Sequence, residues 1–90
     1  MPEPRLTARA KQDLGALPRT IQEAVVEALT TIGLDPTTVG KPLVGRLRGL
    51  WSARVGNYRV LYTVEQDAGS TRVIVRAIRH RAVAYRTRRD

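Results

Sequence analysis

The sequence contains no cysteine, which excludes disulfide bonds and thiolate metal ligands. It has a single histidine, His80, which argues against a metal site built from imidazoles. We therefore expect neither a metal ion nor another cofactor. No apolar run reaches the length of a membrane-spanning helix, and the N-terminus lacks the apolar stretch of a signal peptide. These absences suit a reducing compartment, and we expect a cytoplasmic location with no membrane partner.

Acidic side chains are also few, with eight Asp and Glu against sixteen Lys and Arg and a formal net charge of +8. Residues 1–40 carry four basic and five acidic side chains, whereas residues 41–90 carry twelve basic and three acidic ones. Lys11 and Lys41 are the two lysines, and arginine's planar guanidinium suits phosphate groups. A GC-rich genome would also explain the arginine bias, but not the segregation of charge. The charge distribution therefore favours a nucleic-acid partner.

The length of 90 residues and an apolar content of 42% predict one small domain over residues 1–90. A short strand is predicted near Pro4–Thr7, followed by a helix with Thr7 as its N-cap that ends near Ala16. A second helix is predicted over residues 18–32, with Gly33 at its C′ position, because apolar residues recur at helical spacing: Ile21, Ala24, Val25, Ala28, Leu29 and Ile32. We expect this helical hairpin to cover one face of a sheet.

Residues 34–49 form a long segment rich in glycine and proline. A loop of this length in a small domain is usually functional or mobile. A short strand near Leu43–Leu47 is one interpretation of its apolar residues. The segment also carries three cations, Lys41, Arg46 and Arg48.

A β-hairpin is predicted around Gly56-Asn57, because Gly followed by a polar residue is typical of a two-residue type II′ turn. This turn places Arg54 directly opposite Arg59, a repulsive pair that suggests an anion-binding face. The other face of the hairpin is apolar and is predicted to join the core: Trp51, Ala53, Val55, Tyr58, Val60 and Tyr62. Packing is the favoured role of Trp51, with base stacking as the alternative.

A turn at 67–70 and a third long strand over residues 71–79 complete the predicted sheet. Alternation does not tell which way Arg76 and Arg79 point, because both faces of this strand are partly apolar. After it, Arg81 and Tyr85 would share a face if the segment forms one helical turn. The predicted fold is α+β, in the order β-α-α-β-β-β, with an antiparallel sheet.

Three motifs resemble the RelE/ParE superfamily of toxins from type II toxin–antitoxin pairs, and their amino-acid sequences are most similar to the RelE branch. They are G-K-P-L at 40–43, L-x-G-L-W-S-A-R-V-G-N-Y-R-V-L-Y at 47–62 and H-R-x-x-x-Y at 80–85. The resemblance implies a RelE-like fold and an mRNA interferase, that is, a ribosome-dependent endoribonuclease. Such toxins cut mRNA in the ribosomal A site by attack of a 2′-hydroxyl and so inhibit translation. The implied partners are a cognate antitoxin, mRNA and the ribosome with its ribosomal RNA.

Carried over by position, the resemblance makes Arg54, Arg59, Arg81 and Tyr85 the catalytic candidates. A lysine common in the best-known members falls on Ser52, which cannot replace it as a base. Ser52 and His80 are further candidates, and a structural or phosphate-contacting role is the alternative for His80. The remaining candidates are phosphate contacts, for which a solvated basic surface is the alternative: Lys41, Arg46, Arg48, Arg86, Arg88 and Arg89.

Two other functions fit the same resemblance. A ParE-like toxin would bind and poison DNA gyrase without performing chemistry, and one fold serves both activities. A catalytically inactive relative would bind nucleic acid or a partner, and Ser52 is the main argument for it. Arg81 and Tyr85 favour cleavage.

Overall fold

The computed structural model describes residues 4–85. Its elements are β1 (Arg5–Leu6), α1 (Ala8–Gly15), α2 (Arg19–Leu34), α3 (Pro36–Val39), β2 (Lys41–Pro42), a 3₁₀ turn (Gly45–Leu47), β3 (Trp51–Val55), β4 (Tyr58–Asp67) and β5 (Ser70–His80). The strands form one five-stranded sheet in the order β1-β5-β4-β3-β2. This architecture confirms the predicted α+β class. The predicted order β-α-α-β-β-β corresponds to β1, α1, α2, β3, β4 and β5, and the short elements α3 and β2 are additional.

The sheet is mixed, which corrects the prediction of an antiparallel sheet. Strands β2 to β5 are antiparallel, but β1 runs parallel to β5. A parallel neighbour requires a crossover connection, and the two long helices lie in the chain between β1 and the other strands. Two residues of strand carry too little pattern to reveal this direction.

The helix boundaries follow local chemistry. The Thr7 hydroxyl accepts a hydrogen bond from the Ala10 N–H at 3.1 Å, so Thr7 is the predicted N-cap of α1. Helix α2 continues through Gly33 to Leu34, so the prediction that Gly33 follows the helix is wrong. The helix ends instead at Asp35, whose φ is −149°, because a residue before proline disfavours the helical conformation.

The predicted strand near Leu43–Leu47 is also wrong. The strand pairing lies earlier, where Lys41 is opposite Ser52 and Pro42 is opposite Trp51. Gly45 then adopts a φ of 67°, in the left-handed region, and begins the 3₁₀ turn. Such a conformation cannot continue an extended strand.

The core lies between the helices and one face of the sheet. Ala53, Val60 and Tyr62 are buried there, as predicted from strand alternation. Trp51 and Val55 are partly buried and pack against this cluster, which agrees with the packing interpretation of Trp51. No helix within residues 4–85 combines the length and the apolar character needed to cross a membrane.

A β-bulge in β5 explains why both faces of this strand contain apolar residues. Leu61 pairs with Ala77 but Tyr62 pairs with Val75, so Arg76 is an extra residue between them. The slip allows Val75 and Ile78 to reach the same core cluster. It consequently places Ala77 and Arg79 on the opposite face.

Candidate functional site

Three arginines form a row across the sheet face that points away from the helical layer. The predicted hairpin register is confirmed, with Arg54 opposite Arg59, and Arg59 is in turn opposite Arg79 on β5. Neighbouring strands lie about 4.8 Å apart, so the row concentrates three positive charges over two strand spacings. We call Arg54, Arg59 and Arg79 the arginine row.

The arginine row has no carboxylate partner within residues 4–85. The ion pairs of this region are Arg9–Asp13, Arg19–Glu23 and Arg76–Glu65. Like charges placed directly opposite each other destabilise a sheet. An unneutralised row is therefore a stability cost that an anionic ligand would remove.

The hairpin turn helps to orient the central arginine of the row. Gly56 has a φ of 58° while that of Asn57 is not positive, as in the predicted type II′ turn. The Arg59 Nη1 group donates to the carbonyl oxygen of Gly56 at 3.3 Å and to that of Tyr58 at 3.0 Å. The guanidinium is thus tethered to the turn beside it.

A cleft of about 410 Å³ lies at the β2 end of the arginine row. It brings together five of the predicted site residues, and three further residues complete its wall: Lys41, Ser52, Arg54, Arg59 and Tyr85, with Val39, Pro42 and Leu43. The hydroxyl oxygens of Ser52 and Tyr85 are 2.9 Å apart. The cleft therefore combines an amine, two guanidiniums, a phenol and an aliphatic wall.

One wall of the cleft depends on a buried tyrosine. The Tyr62 hydroxyl donates to the Pro36 carbonyl oxygen at 2.6 Å, and the Gly40 N–H donates to the Tyr62 oxygen. Burial raises the pKa of Tyr62 above its ordinary value, and the bond from Gly40 opposes this. The hydroxyl thus bridges the carbonyl and the amide that a continued helix would join directly. It ends α3 and leads the chain into β2, which carries Lys41.

Gly40 is required by this contact and not by its backbone angles, since its φ is −104°. A Cβ atom at Gly40 would overlap the Tyr62 hydroxyl and lie 3.1 Å from the Ser52 carbonyl oxygen. The glycine of the G-K-P-L motif therefore allows the chain to pass close to β3 and to the Tyr62 side chain as it enters β2.

Arg81 and His80 lie beyond the cleft. The Arg81 N–H donates to the Asn57 carbonyl oxygen at 2.7 Å, which ties the C-terminal segment to the hairpin turn. His80 is opposite Tyr58, with their rings edge to face at 5.4 Å, and its Nδ1 accepts from the Ala82 N–H at 3.1 Å. Because His80 follows Arg79 in the strand, its side chain lies on the other face of the sheet from the arginine row.

The remaining predicted phosphate contacts are dispersed. Arg46 and Arg48 are exposed in and after the 3₁₀ turn and do not line the cleft. Arg86, Arg88 and Arg89 lie outside the described residues. In residues 4–85 there is no group of three His, Asp or Glu side chains placed to hold a metal ion.

Arg79 is the residue of the row that the sequence alone did not single out. Its orientation follows from the bulge, because pairing counted back from the 67–70 turn without a slip would place Ile78 opposite Arg59. The sequence does contain one indication of this orientation. Val73, Val75 and Ile78 can face the same core only if the pairing of β5 with β4 shifts by one residue.

Comparison with known proteins identifies the class. The family described as "ParE toxin of type II toxin-antitoxin system, parDE" matches residues 5–85. The chain belongs to this family and is a toxin of the RelE/ParE superfamily, as its motifs predicted.

Particular relatives place it near the RelE branch. Toxin RelG of Mycobacterium tuberculosis is 43% identical over 83 residues, which cover 91% of this chain and 93% of the relative. Toxin RelE of the same organism is 44% identical over 82 residues, or 90% of this chain and 82% of the relative. A chain in the crystal structure of the toxin–antitoxin complex RelBE2 from M. tuberculosis is 40% identical, with a TM-score of 0.80 and coverage of 90% of this chain and 100% of that one. The fold is RelE-like, as predicted.

Proposed function

We propose that this toxin is a ribosome-dependent endoribonuclease that cuts mRNA in the A site and inhibits translation. The observation that carries the proposal is the position of Tyr85 in a cleft that contains one end of an unneutralised arginine row. Phosphate is the anion best suited to several guanidiniums, and RNA supplies both the phosphate and the neighbouring 2′-hydroxyl nucleophile.

The proposed reaction needs three contributions. A base removes the 2′-hydroxyl proton, cations stabilise the charge on the phosphorane oxygens, and the leaving 5′-oxygen receives a proton. Arg54 and Arg59 supply the charge stabilisation, since guanidiniums hardly titrate and make poor bases. Tyr85 is the base candidate in the cleft, and Lys41 binds phosphate beside it. The proton leaving the nucleophile passes to Tyr85 or to a ribosomal group. The new bond from the 2′-oxygen to phosphorus displaces the 5′-oxygen, which takes a proton from water, so the products are a 2′,3′-cyclic phosphate and a free 5′-hydroxyl.

We further propose that Arg79 completes the stabilising set. Arg81 was the candidate implied by the resemblance. Neither Arg79 nor Arg81 lines the cleft, but Arg79 lies directly opposite Arg59 on the same face of the sheet. Its position after β5, near the hairpin turn, suits contact with RNA beside the cut site. We assign His80 a structural role, because its Nδ1 accepts from the Ala82 N–H and its ring packs edge to face against Tyr58.

The proposal implies particular partners. A cognate antitoxin, by analogy with the complexed relative, would cover the basic face with acidic side chains. The other partners are mRNA and the ribosome, whose RNA would meet Lys41, Arg46, Arg48, Arg86, Arg88 and Arg89. A cytoplasmic location follows from this substrate.

Cleavage mapping in a translating extract tests the proposal. Wild type should produce cuts within A-site codons, and Arg79→Ala and Tyr85→Phe should each remove most of them. Arg81→Ala in the same assay separates the two arginines, because we expect it to retain more cleavage than Arg79→Ala. Toxicity without any mRNA cuts would refute the ribonuclease proposal.

A second function is favoured by the match to the ParE family over residues 5–85. A ParE-like toxin would bind DNA gyrase and perform no chemistry. Purified toxin would then block DNA supercoiling by gyrase, and Tyr85→Phe would not restore it. We expect supercoiling to continue at toxin concentrations that stop translation.

A further inference from the structure

Ser52 is the buried polar residue of the described region, with 8% of its surface exposed. It lies on β3, opposite Lys41 on β2 and Leu61 on β4. A buried hydroxyl needs a hydrogen-bond partner, and that of Ser52 finds the Tyr85 hydroxyl at 2.9 Å. The bond joins residues 33 positions apart in the chain.

The backbone of Tyr85 is held separately from its ring. Arg81 donates to Asn57, Val83 donates to His80, and Ala84 is 2% exposed, so the segment before Tyr85 is fixed against the sheet. The Tyr85 residue itself is 44% exposed. Within residues 4–85, the Ser52 hydroxyl is the group that fixes the far end of this side chain.

We propose that Ser52 is a positioning residue that holds the Tyr85 hydroxyl in the cleft beside Arg54 and Arg59. This inference rests on the proposed ribonuclease function and adds a role for the residue that replaces the family's lysine. Ser52 does not act as a base and acts through Tyr85. Without it, an exposed phenol explores several rotamers and is correctly placed for a smaller fraction of the time.

The effect of Ser52→Lys on cleavage distinguishes a positioning role from a lost base. If Ser52 were simply a lost base, Ser52→Lys would restore activity. In this structure the substitution breaks the bond to Tyr85 and places an ammonium in a buried position next to Arg54. We therefore expect Ser52→Lys to cleave more slowly than wild type, and faster cleavage would overturn the proposal.

A double-mutant cycle on single-turnover cleavage of ribosome-bound mRNA measures the coupling. Ser52→Ala should slow cleavage about fivefold to tenfold, the equivalent of one hydrogen bond. Tyr85→Phe should slow it about 100-fold, and the double variant should be no slower than Tyr85→Phe alone. Ser52→Thr keeps the hydroxyl and should recover most of the rate. Multiplied effects in the double variant would overturn the proposal.

An NMR measurement on the free toxin, which does not depend on RNA cleavage, tests this inference separately from the proposed function. With tyrosine labelled at Cζ, Ser52→Ala should shift the NMR signal of Tyr85 in the free toxin, whereas Ser52→Thr should keep it near the wild-type position. Ser70→Ala is the matched control, because Ser70 bonds to Asp67 in the distant β4–β5 turn. An unmoved Tyr85 signal in Ser52→Ala would refute the contact even if the toxin cuts mRNA. A shifted signal in a toxin that makes no cuts would refute the catalytic role and the proposed function together.

Discussion

At the scale of single residues, the arginine row that we propose to bind RNA lowers the stability of the sheet. Arg54 and Arg59 are directly opposed without a carboxylate partner in residues 4–85. Such pairs destabilise a sheet by a fraction of about 1 kcal/mol. A sequence selected for stability alone would place a glutamate at one of these positions.

Arg54→Gln should therefore be more stable and less active than wild type. We expect the free energy of unfolding in urea to rise by about 0.5 kcal/mol, since a like charge leaves the row. Cleavage of ribosome-bound mRNA should fall by about 100-fold, because one stabilising cation is lost at the phosphorane. Arg72→Gln is the control, as Arg72 is opposite Glu65 at the distant end of the sheet. Reduced stability together with retained cleavage in Arg54→Gln would contradict the interpretation.

Tyr62 should contribute a pH-dependent part of stability. Burial raises its pKa in the folded protein, so the unfolded chain ionises first, near the ordinary value of 10.0. The stabilisation is complete below about pH 10 and is lost as the pH rises through the folded-state pKa. Tyr62→Phe should cost about 1–2 kcal/mol at pH 7, because the Pro36 carbonyl and the Gly40 N–H both lose a partner.

Urea unfolding over the range from about pH 8 to about pH 11 tests this prediction, because this range brackets the ordinary tyrosine pKa of about 10. Tyr62→Phe should lose stability less steeply than wild type over the alkaline part of the range. Tyr58→Phe, at the start of β4, is the matched control for removal of a phenol hydroxyl. Identical alkaline slopes for wild type and Tyr62→Phe would exclude Tyr62 as the titrating group.

At the scale of elements, the two hairpin turns differ in how well their residues suit the backbone angles that they adopt. In the β4–β5 turn, Ala68 has a φ of 29° and Gly69 one of 87°. Two consecutive positive φ values are typical of a type I′ turn, which favours Asn or Gly at its first position. An alanine held there costs about 1 kcal/mol.

Ala68→Asn should consequently stabilise the protein by about 0.5–1 kcal/mol. The melting temperature should rise by about 3–6 °C for a domain of this size. Gly69→Ala should lower it, because alanine is strained at a φ of 87°. The turn lies at the far end of β4 and β5 from Arg59 and Arg79, so mRNA cleavage should be unchanged. A lower melting temperature for Ala68→Asn would contradict the turn assignment.

The same elements show what a sequence can predict about this fold. The Gly56-Asn57 turn is local, so its two residues fix the pairing of Arg54 with Arg59. The bulge at Arg76 is not local, since it follows from the need to bury Val75 and Ile78 against the helices. Arg79 therefore joins the arginine row through tertiary packing. Likewise, the bond between Ser52 and Tyr85 depends on how the C-terminal turn folds back over β3.

At the scale of the whole molecule, the charge is separated between the two halves of the sequence. Residues 1–40 carry no net excess of positive charge, whereas residues 41–90 carry the whole of it. The helices come from the first part, and the long strands with the arginine row come from the second. One side of the fold is thus suited to an extended anion.

Ribosome binding should therefore depend on salt through specific arginines of the second half. Each phosphate contact contributes about 0.7–0.9 to the slope of log affinity against log salt concentration. If Arg46 and Arg48 both meet ribosomal RNA, the double variant Arg46→Gln/Arg48→Gln should flatten this slope by about 1.5. The matched double variant Arg5→Gln/Arg19→Gln removes the same charge from the first half and should keep the wild-type slope. Equal slopes for all three proteins would mean that Arg46 and Arg48 form only a solvated basic surface, because counterion release requires a phosphate contact.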